Sequence, residues 1–312
     1  MKPTSTKPLV SIVSINYDQP EVTCEMLASL RKVTYPNFET IVVDNGSPTT
    51  TPCSIKENYP EVHLIISEEN LGFAGGNNIA LKQAKGDYVL LLNNDTEVNP
   101  NFLDSLVELM ESDKKIGIAS SKILYFYEDN IIQYAGTSPI NFITSRGRHY
   151  GNKEEDNGQF NKAVETYYPH GACMMIRKSV LEELGLLYEG YFLYYEEYDF
   201  TERVRQAGYK IYFQPNSSIL HKESISTGKN SSLKTYYMNR NRLLFIRRNV
   251  KGVNFWLAMG YYFLISFPKN TLKYLFNKEH LSALYRGMFW NLQNYNIHKN
   301  EKLTNKSQQL WD

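Results

Sequence analysis

Leu9 to Ile15 is an almost unbroken apolar run rich in Val and Ile, the pattern of a strand buried on both faces. The period then changes: between Glu21 and Thr34, the apolar residues Val22, Met26, Leu27 and Leu30 recur at helical spacing. Glu39 to Val43 reads as a second buried strand, Val62 to Ile66 as a third and Tyr88 to Leu92 as a fourth. Between the last two lie a Gly-rich turn, Gly72 to Gly76, and a short helix to about Ala84. Pro100 to Glu111 is helical with proline near its start. Ile116 to Ser120 is a fifth strand, followed by an irregular stretch from Ser121 to Tyr168. Ala172 to Ile176 reads as a strand, and Lys178 to Leu184 and Glu196 to Ala207 as helices. Two short strands, Tyr209 to Phe213 and Ser217 to Leu220, close this part of the chain.

Strands alternating with helices predict an α/β fold, a mostly parallel sheet with helices on both faces. In such sheets ligands bind beyond the carboxyl ends of the strands. Three polar clusters fall at those ends: Asn16-Tyr17-Asp18, Asp44 to Ser47, and Asn93-Asn94-Asp95.

The pattern changes again near the C-terminus. Gly252 to Pro268 carries no formal charge and is bracketed by Lys251 and Lys269. Its length is at the lower limit for a membrane span, and its Asn254, Gly260 and many aromatic residues suit an interface better than a bilayer core. Asn270 to Asn291 continues with apolar residues at helical spacing and basic residues between them.

Composition sharpens this picture. With 42% hydrophobic and 21% charged residues the chain can bury a core, which excludes global disorder. The net charge of +1 hides an asymmetry: residues 228–312 hold 14 Lys and Arg against 3 Asp and Glu, and the remainder is acidic. A basic, aromatic tail points to anionic phosphates. Its apolar stretch favours a membrane surface over nucleic acid. Cys24, Cys53 and Cys173 lack metal-ligand spacing and read as reduced core residues. The polar start, Met1 to Pro8, has no signal-peptide pattern, so a cytoplasmic location, peripheral at the inner face of the membrane through the tail, is expected.

Three features could carry chemistry, each with a plainer reading beside it. Asp95, at the end of a strand, could hold a hard cation or simply belong to a polar turn. Glu196, Glu197 and Asp199 open a helix; they could complement its dipole, or one could act as a general base. His221, after Ile219-Leu220, could be structural or a ligand.

An ordered series of motifs then decides the reading: VSIVSINY (10–17), IVVDNGS (41–47), ENLGFAGGNN (69–78), GDYVLLLNNDTEV (86–98), HGACMMIRKSVLEELG (170–185), YFLYYEEYDFTERVRQAGY (191–209), ILHKES (219–224) and YYMNRNRLLFIRRN (236–249). The chain resembles family 2 glycosyltransferases of the GT-A fold, and within them bacterial rhamnosyltransferases and related cell-surface polysaccharide enzymes. The resemblance implies a Rossmann-like GT-A domain over 1–227, with a nucleotide half to about 120 and an acceptor half beyond it. A helical, membrane-associating extension would follow over 228–312. It implies an inverting transfer of a sugar from a nucleotide diphosphate to a hydroxyl of a glycan or lipid-linked acceptor.

Roles carry over residue by residue. Asp44 would accept a hydrogen bond from a base, with Asn16 and Tyr17 lining the same pocket. Asn45, Gly46, Asn70, Gly72, Phe73, Asn77 and Asn94 would complete the nucleotide site, the glycines letting backbone approach the ligand. Asp95, the last carboxylate of an Asp-x-Asp motif, would bind Mg²⁺ or Mn²⁺ with His221. Glu197 matches the catalytic carboxylate, with Glu196 and Asp199 as possible substitutes. Two departures stand out: Asn93-Asn94 replaces aspartates, which leaves one anionic ligand, and Glu197 stands where Asp is usual. A sugar nucleotidyltransferase and a non-catalytic nucleotide- or carbohydrate-binding module remain as alternatives.

Overall fold

The computed structural model describes residues 7–223 and 231–296. The boundary expected at 227/228, the end of the 219–224 motif, and the tail lysines Lys299, Lys302 and Lys306 lie outside them.

In chain order the elements are β1 (Val10–Asn16), α1 (Pro20–Leu30), β2 (Phe38–Asn45), α2 (Cys53–Asn58), β3 (His63–Ser67), α3 (Gly72–Leu81) and β4 (Tyr88–Leu92). Next come β5 (Thr96–Val98), α4 (Phe102–Ser112), β6 (Ile116–Tyr125), β7 (Ile132–Tyr134), β8 (Val164–Glu165), β9 (Cys173–Arg177) and α5 (Lys178–Leu184). The chain continues through α6 (Glu196–Gln206), β10 (Lys210–His221), α7 (Ser232–Asn249), α8 (Gly252–Tyr261), a π-helical turn (Tyr262–Ser266), α9 (Phe267–Lys273) and α10 (Lys278–Gln293).

One sheet runs in the order β3-β2-β1-β4-β9-β6-β10-β5. Successive strand residues point to opposite faces, and both faces are covered. In β1 and β4, Val10, Ile12, Leu90 and Leu92 pack with Met26, Leu27 and Leu30 of α1 and Phe102, Leu103 and Leu106 of α4. Val13, Val89 and Leu91 pack the other way, against Ala80 and Leu81 of α3, Val180 and Leu181 of α5 and Phe200 and Val204 of α6. The expected parallel pairing holds for β3-β2-β1-β4 and for β6 with β10, while β9 runs antiparallel between β4 and β6.

Several expectations need correction. The fifth strand does not stop at Ser120 but reaches Tyr125, because the sheet satisfies its hydroxyls: Ser120 Oγ donates to the Cys173 carbonyl and Ser121 Oγ pairs with Ser217 Oγ, both at 2.7 Å. The two closing strands are one, β10, with a register shift between Gln214 and Ser218 that accommodates Pro215. The stretch expected to be irregular contains β7 and β8. Gly72 to Gly76 is no turn but the start of α3. Cys53 is exposed at the start of α2, whereas Cys173 is buried; all three thiols are free. The tail helix expected over 270–291 breaks after Lys273 and restarts at Lys278, where Asn277 Oδ1 accepts from the His280 N–H. Among the described residues no helix is long and apolar enough to cross a membrane.

Candidate active site

The carboxyl ends of β1, β2 and β4 open into a cleft of about 670 Å³. Tyr17, Asn45, Asn70, Gly72, Phe73, Asn77 and Asn94 line it, as do Asp95, His221, Glu196 and Glu197. Asn16, Asp44, Gly46 and Asp199 do not.

Asp44 and Asn16 instead form a buried chain beside the cleft. Ser47 Oγ and Asn16 Nδ2 each donate to Asp44 Oδ1 at 2.6 Å. Thr23 Oγ1 donates to Asn16 Oδ1 at 2.8 Å and accepts from Asn94 Nδ2 at 3.0 Å. The chain ties the ends of three strands together; Thr23 lies outside the motifs, and Ser47 closes the 41–47 motif without having been given a role. The glycines act differently from expectation. A Cβ on Gly46 would meet the Glu69 carbonyl carbon at 2.4 Å, and one on Gly72 the Phe192 carbonyl oxygen at 2.3 Å. Both also have positive φ, so the close approach that demands glycine is to the protein's own backbone. Asn45 holds the same loop: its Nδ2 donates to Asn70 Oδ1 and to the Gly72 carbonyl at 3.1 Å.

Asp95 and His221 lie far apart in sequence and meet because β5 pairs antiparallel with β10, setting Thr96 opposite His221. His221 Nε2 lies 3.1 Å from Asp95 Oδ1, and both residues are buried. His221 Nδ1 is 2.8 Å from Gln133 Oε1. With that amide oxygen accepting, Nδ1 carries the hydrogen and Nε2 presents a lone pair to the carboxylate. Neither Nε2 nor Asp95 Oδ1 has a hydrogen-bond partner among the described residues. A carboxylate oxygen and an imidazole nitrogen this close share either a proton or a metal cation. One hard oxygen and one imidazole nitrogen fit Mg²⁺ or Mn²⁺. No group of three or more His, Cys, Asp or Glu side chains able to hold a metal occurs among the described residues. Phosphate oxygens and water would have to complete a coordination shell.

Across the cleft, Glu196 and Glu197 begin α6. Burial pushes the Glu197 carboxyl up to about 7, while the N–H groups of Glu197 and Tyr195 pull it down. Glu196 is more deeply enclosed; burial first, and then Glu197, hold it well above the usual carboxylate range. Asp199 faces away. Its Oδ1 accepts from Arg248 Nε and Asn249 Nδ2 at 2.9 Å and from the Tyr191 hydroxyl at 3.1 Å. Burial pushes its pKa up, but Arg248 and Arg203 outweigh this and hold it below the ordinary value. Asp199 is therefore an anchor between α6 and α7, outside the cleft that the sequence reading had assigned it to.

The glycosyl transferase family 2 model matches residues 11–185, more than half of the chain. The chain belongs to glycosyl transferase family 2. Its fold is GT-A. It is 29% identical over 242 residues to the low-salt glycan biosynthesis hexosyltransferase Agl10 of Haloferax volcanii, covering 75% of this chain and 74% of that protein. It is 22% identical over 268 residues to an N-acetylglucosaminyl-diphospho-decaprenol L-rhamnosyltransferase of Mycobacterium tuberculosis, covering 78% and 86%. Among solved structures it resembles the mannosyltransferase PcManGT of Pyrobaculum calidifontis in complex with GDP-Man and Mn²⁺ (TM-score 0.57, 16% identity, 93% and 76% coverage).

This glycosyltransferase cleft has walls that the sequence reading did not assign. His149 and His170 stand beside His221, with ring centroids 5.3 Å apart for the first pair and 5.7 Å for His170 and His221. Burial lowers His149 to about 4 and His170 well below its ordinary value, so both are neutral at pH 7. The loop before Glu196 is strained: Phe192, Tyr194 and Tyr195 have φ of 63°, 68° and 75°. Helix α7 holds it. Asn241 Nδ2 donates to the carbonyls of Tyr191, Leu193 and Tyr194 at 2.9, 2.6 and 2.8 Å. Arg240 Nη2 donates to the carbonyls of Gly190 and Tyr191 at 2.7 and 2.5 Å. The motif at 236–249 carried this signal, as polar Asn-Arg pairs inside an otherwise apolar helical run, but nothing in the sequence said what they touch. Asn241→Ala is expected to lower kcat on the order of 100-fold by letting the loop relax, with a smaller change in donor KM. Steady-state kinetics beside a thermal melt check this; an unchanged kcat would mean that the loop holds itself.

Proposed function

We propose that this glycosyltransferase is an inverting hexosyltransferase that moves a sugar from a nucleotide diphosphate to a hydroxyl of a glycan or lipid-linked acceptor in cell-surface polysaccharide synthesis. One observation carries the reading: the orphaned Asp95–His221 pair and Glu197, poised near neutrality, line the same cleft. Asp95 and His221 are the residues that would hold Mg²⁺ or Mn²⁺, which when bound supplies positive charge to the leaving diphosphate. Glu197 removes the acceptor hydroxyl proton as the oxygen attacks the anomeric carbon and the bond to the diphosphate breaks. A single displacement inverts the anomeric configuration. The loop clamped by Asn241 keeps Glu197 on the acceptor side, and neutral His149 and His170 add no charge to repel a cation nearby. dTDP-rhamnose is the first donor to test, because a relative acts as an L-rhamnosyltransferase.

The test is a panel of dTDP-, UDP- and GDP-sugars with Mn²⁺, read by nucleotide release and by the anomeric configuration of the product. Release from one donor, abolished by chelation and giving an inverted product, is expected. Retention of configuration, or formation of a nucleotide-sugar from a sugar phosphate, would refute the proposal.

The tail adds a location. Trp256, Leu264 and Phe276 are 74%, 80% and 96% exposed; Lys251 precedes them in sequence, and Lys269 and Lys273 lie among them. An apolar surface flanked by lysines fits the inner, anionic face of a membrane. Flotation with anionic liposomes is expected for the full chain, weakened by salt and lost in a variant with Trp256, Leu264 and Phe276 changed to serine. Equal recovery of both proteins in the soluble fraction would reject the location.

A further inference from the structure

Arg242, on α7, is only 2% exposed. Its Nη1 donates to Ser266 Oγ at 2.6 Å, but Nε and Nη2 have no partner among the described residues. The other arginines of α7 differ. Arg240 and Arg247 donate to backbone and asparagine oxygens, and Arg248 pairs with Asp199. No carboxylate acts on Arg242 among the described residues. Burial depresses its pKa, the tyrosines at 195, 261 and 262 act to raise it, and Arg146, of like sign, lowers it further. A buried guanidinium without a counter-charge, beside a second cation, is costly unless an anion joins it.

The surroundings say which anion. Arg146 and Tyr195, two of the groups that act on Arg242, line the cleft that holds Glu197, while Arg242 and Tyr262 themselves are buried and are not part of its lining. Beside Arg242 lies the π-helical turn, Tyr262 to Ser266, a geometry frequent at functional sites. The ends of that turn face inward: Ser266 binds Arg242, and the buried Tyr262 hydroxyl, on a ring 5.5 Å from the guanidinium, has no partner among the described residues. The middle of the turn faces outward, with Phe263, Leu264 and Ile265 exposed. One short turn thus presents a polar inner face and an apolar outer face.

We propose that Arg242, Arg146 and Tyr262 form an anion site for the phosphate or diphosphate of an amphiphilic acceptor, whose apolar chain lies on the outer face of the π-helical turn. The inference rests on the glycosyl-transfer reading and narrows its acceptor. A guanidinium fork matches phosphate oxygens in geometry and charge, and the tyrosine hydroxyl supplies a further donor. The acceptor's phosphate, anchored here, leaves its sugar hydroxyl in the cleft near Glu197.

The test measures binding of farnesyl diphosphate, inorganic pyrophosphate and farnesol to the full chain by calorimetry, without divalent cation and without donor. Farnesyl diphosphate is expected to bind roughly tenfold or more tighter than either half-molecule. Arg146→Gln and Arg242→Gln should each weaken it by about tenfold or more, and Tyr262→Phe by less. Asp95→Asn should leave it unchanged, which separates this site from that of the donor diphosphate. Arg146 is exposed, so its variant keeps the measurement valid if Arg242→Gln fails to fold. Equal affinity of wild type and Arg146→Gln overturns the site. Pyrophosphate binding as tightly as farnesyl diphosphate, with the same arginine dependence, overturns the amphiphile and assigns a soluble phosphate. Nucleotide release with a soluble acceptor, in the absence of farnesyl diphosphate binding, would remove this inference and leave the transfer reading intact.

Discussion

Glu197→Gln is expected to lower the rate of sugar transfer by about 10²–10⁴-fold, the range for losing a general base, while donor affinity stays within a few fold. Glutamine keeps the size and the hydrogen-bonding face of the side chain, so the loss reports the missing proton acceptor. The pH profile carries the same signature. Burial raises the Glu197 pKa from an ordinary 4.5 to about 7, so kcat/KM should climb through neutrality and level off above it. The stability effect has the opposite slope. Between those two values the folded chain holds a proton that the unfolded chain has lost. Stability from this group is therefore full below the ordinary value and lost as pH rises through about 7. Urea unfolding at several pH values should show this decline in wild type and a flatter curve in Glu197→Gln. Transfer that survives the substitution within a few fold would move the base to Glu196.

Asp199→Ala is expected to destabilise the fold by about 3 kcal/mol, because it strands the partly buried Arg248 and Arg203 without their shared, buried anion. The Tyr191 hydroxyl and Asn249 lose an acceptor in the same change. Since the folded pKa of Asp199 is held below its ordinary value, its contribution is present at neutral pH and disappears as pH falls through the folded value. Equilibrium unfolding of the two proteins at neutral and acidic pH measures both effects. A loss under 1 kcal/mol would show that the two arginines find other partners. The contrast with Glu197 is informative: of two carboxylates two residues apart, one is held by two arginines and its pKa is lowered, and the other lines the cleft and its pKa is raised by burial.

The apolar runs at β1, β2 and β4 and the helical periodicity of α1 and α6 were legible because a two-faced sheet requires continuous hydrophobic strands and one-sided helices. Motif order singled out Asp95, His221 and Glu197 as candidates, since local patterns of residue type survive without knowledge of distance. Local pattern could not find β5 or the extension of β6, which become strand only through pairing with β10 and, for the extension, β7.

The chain of letters alone determined the α/β alternation, and it marked the strand ends and a few acidic and histidine side chains as candidates for chemistry. Tertiary structure decided which of them meet. Pairing of β5 with β10 joined Asp95 to His221, the different surroundings on α6 set Glu197 apart from Asp199, and α7 reached back to hold the loop that precedes them. Each of those outcomes depends on groups distant in sequence approaching within a few ångströms, and distance between remote residues is the quantity that a one-dimensional pattern does not contain.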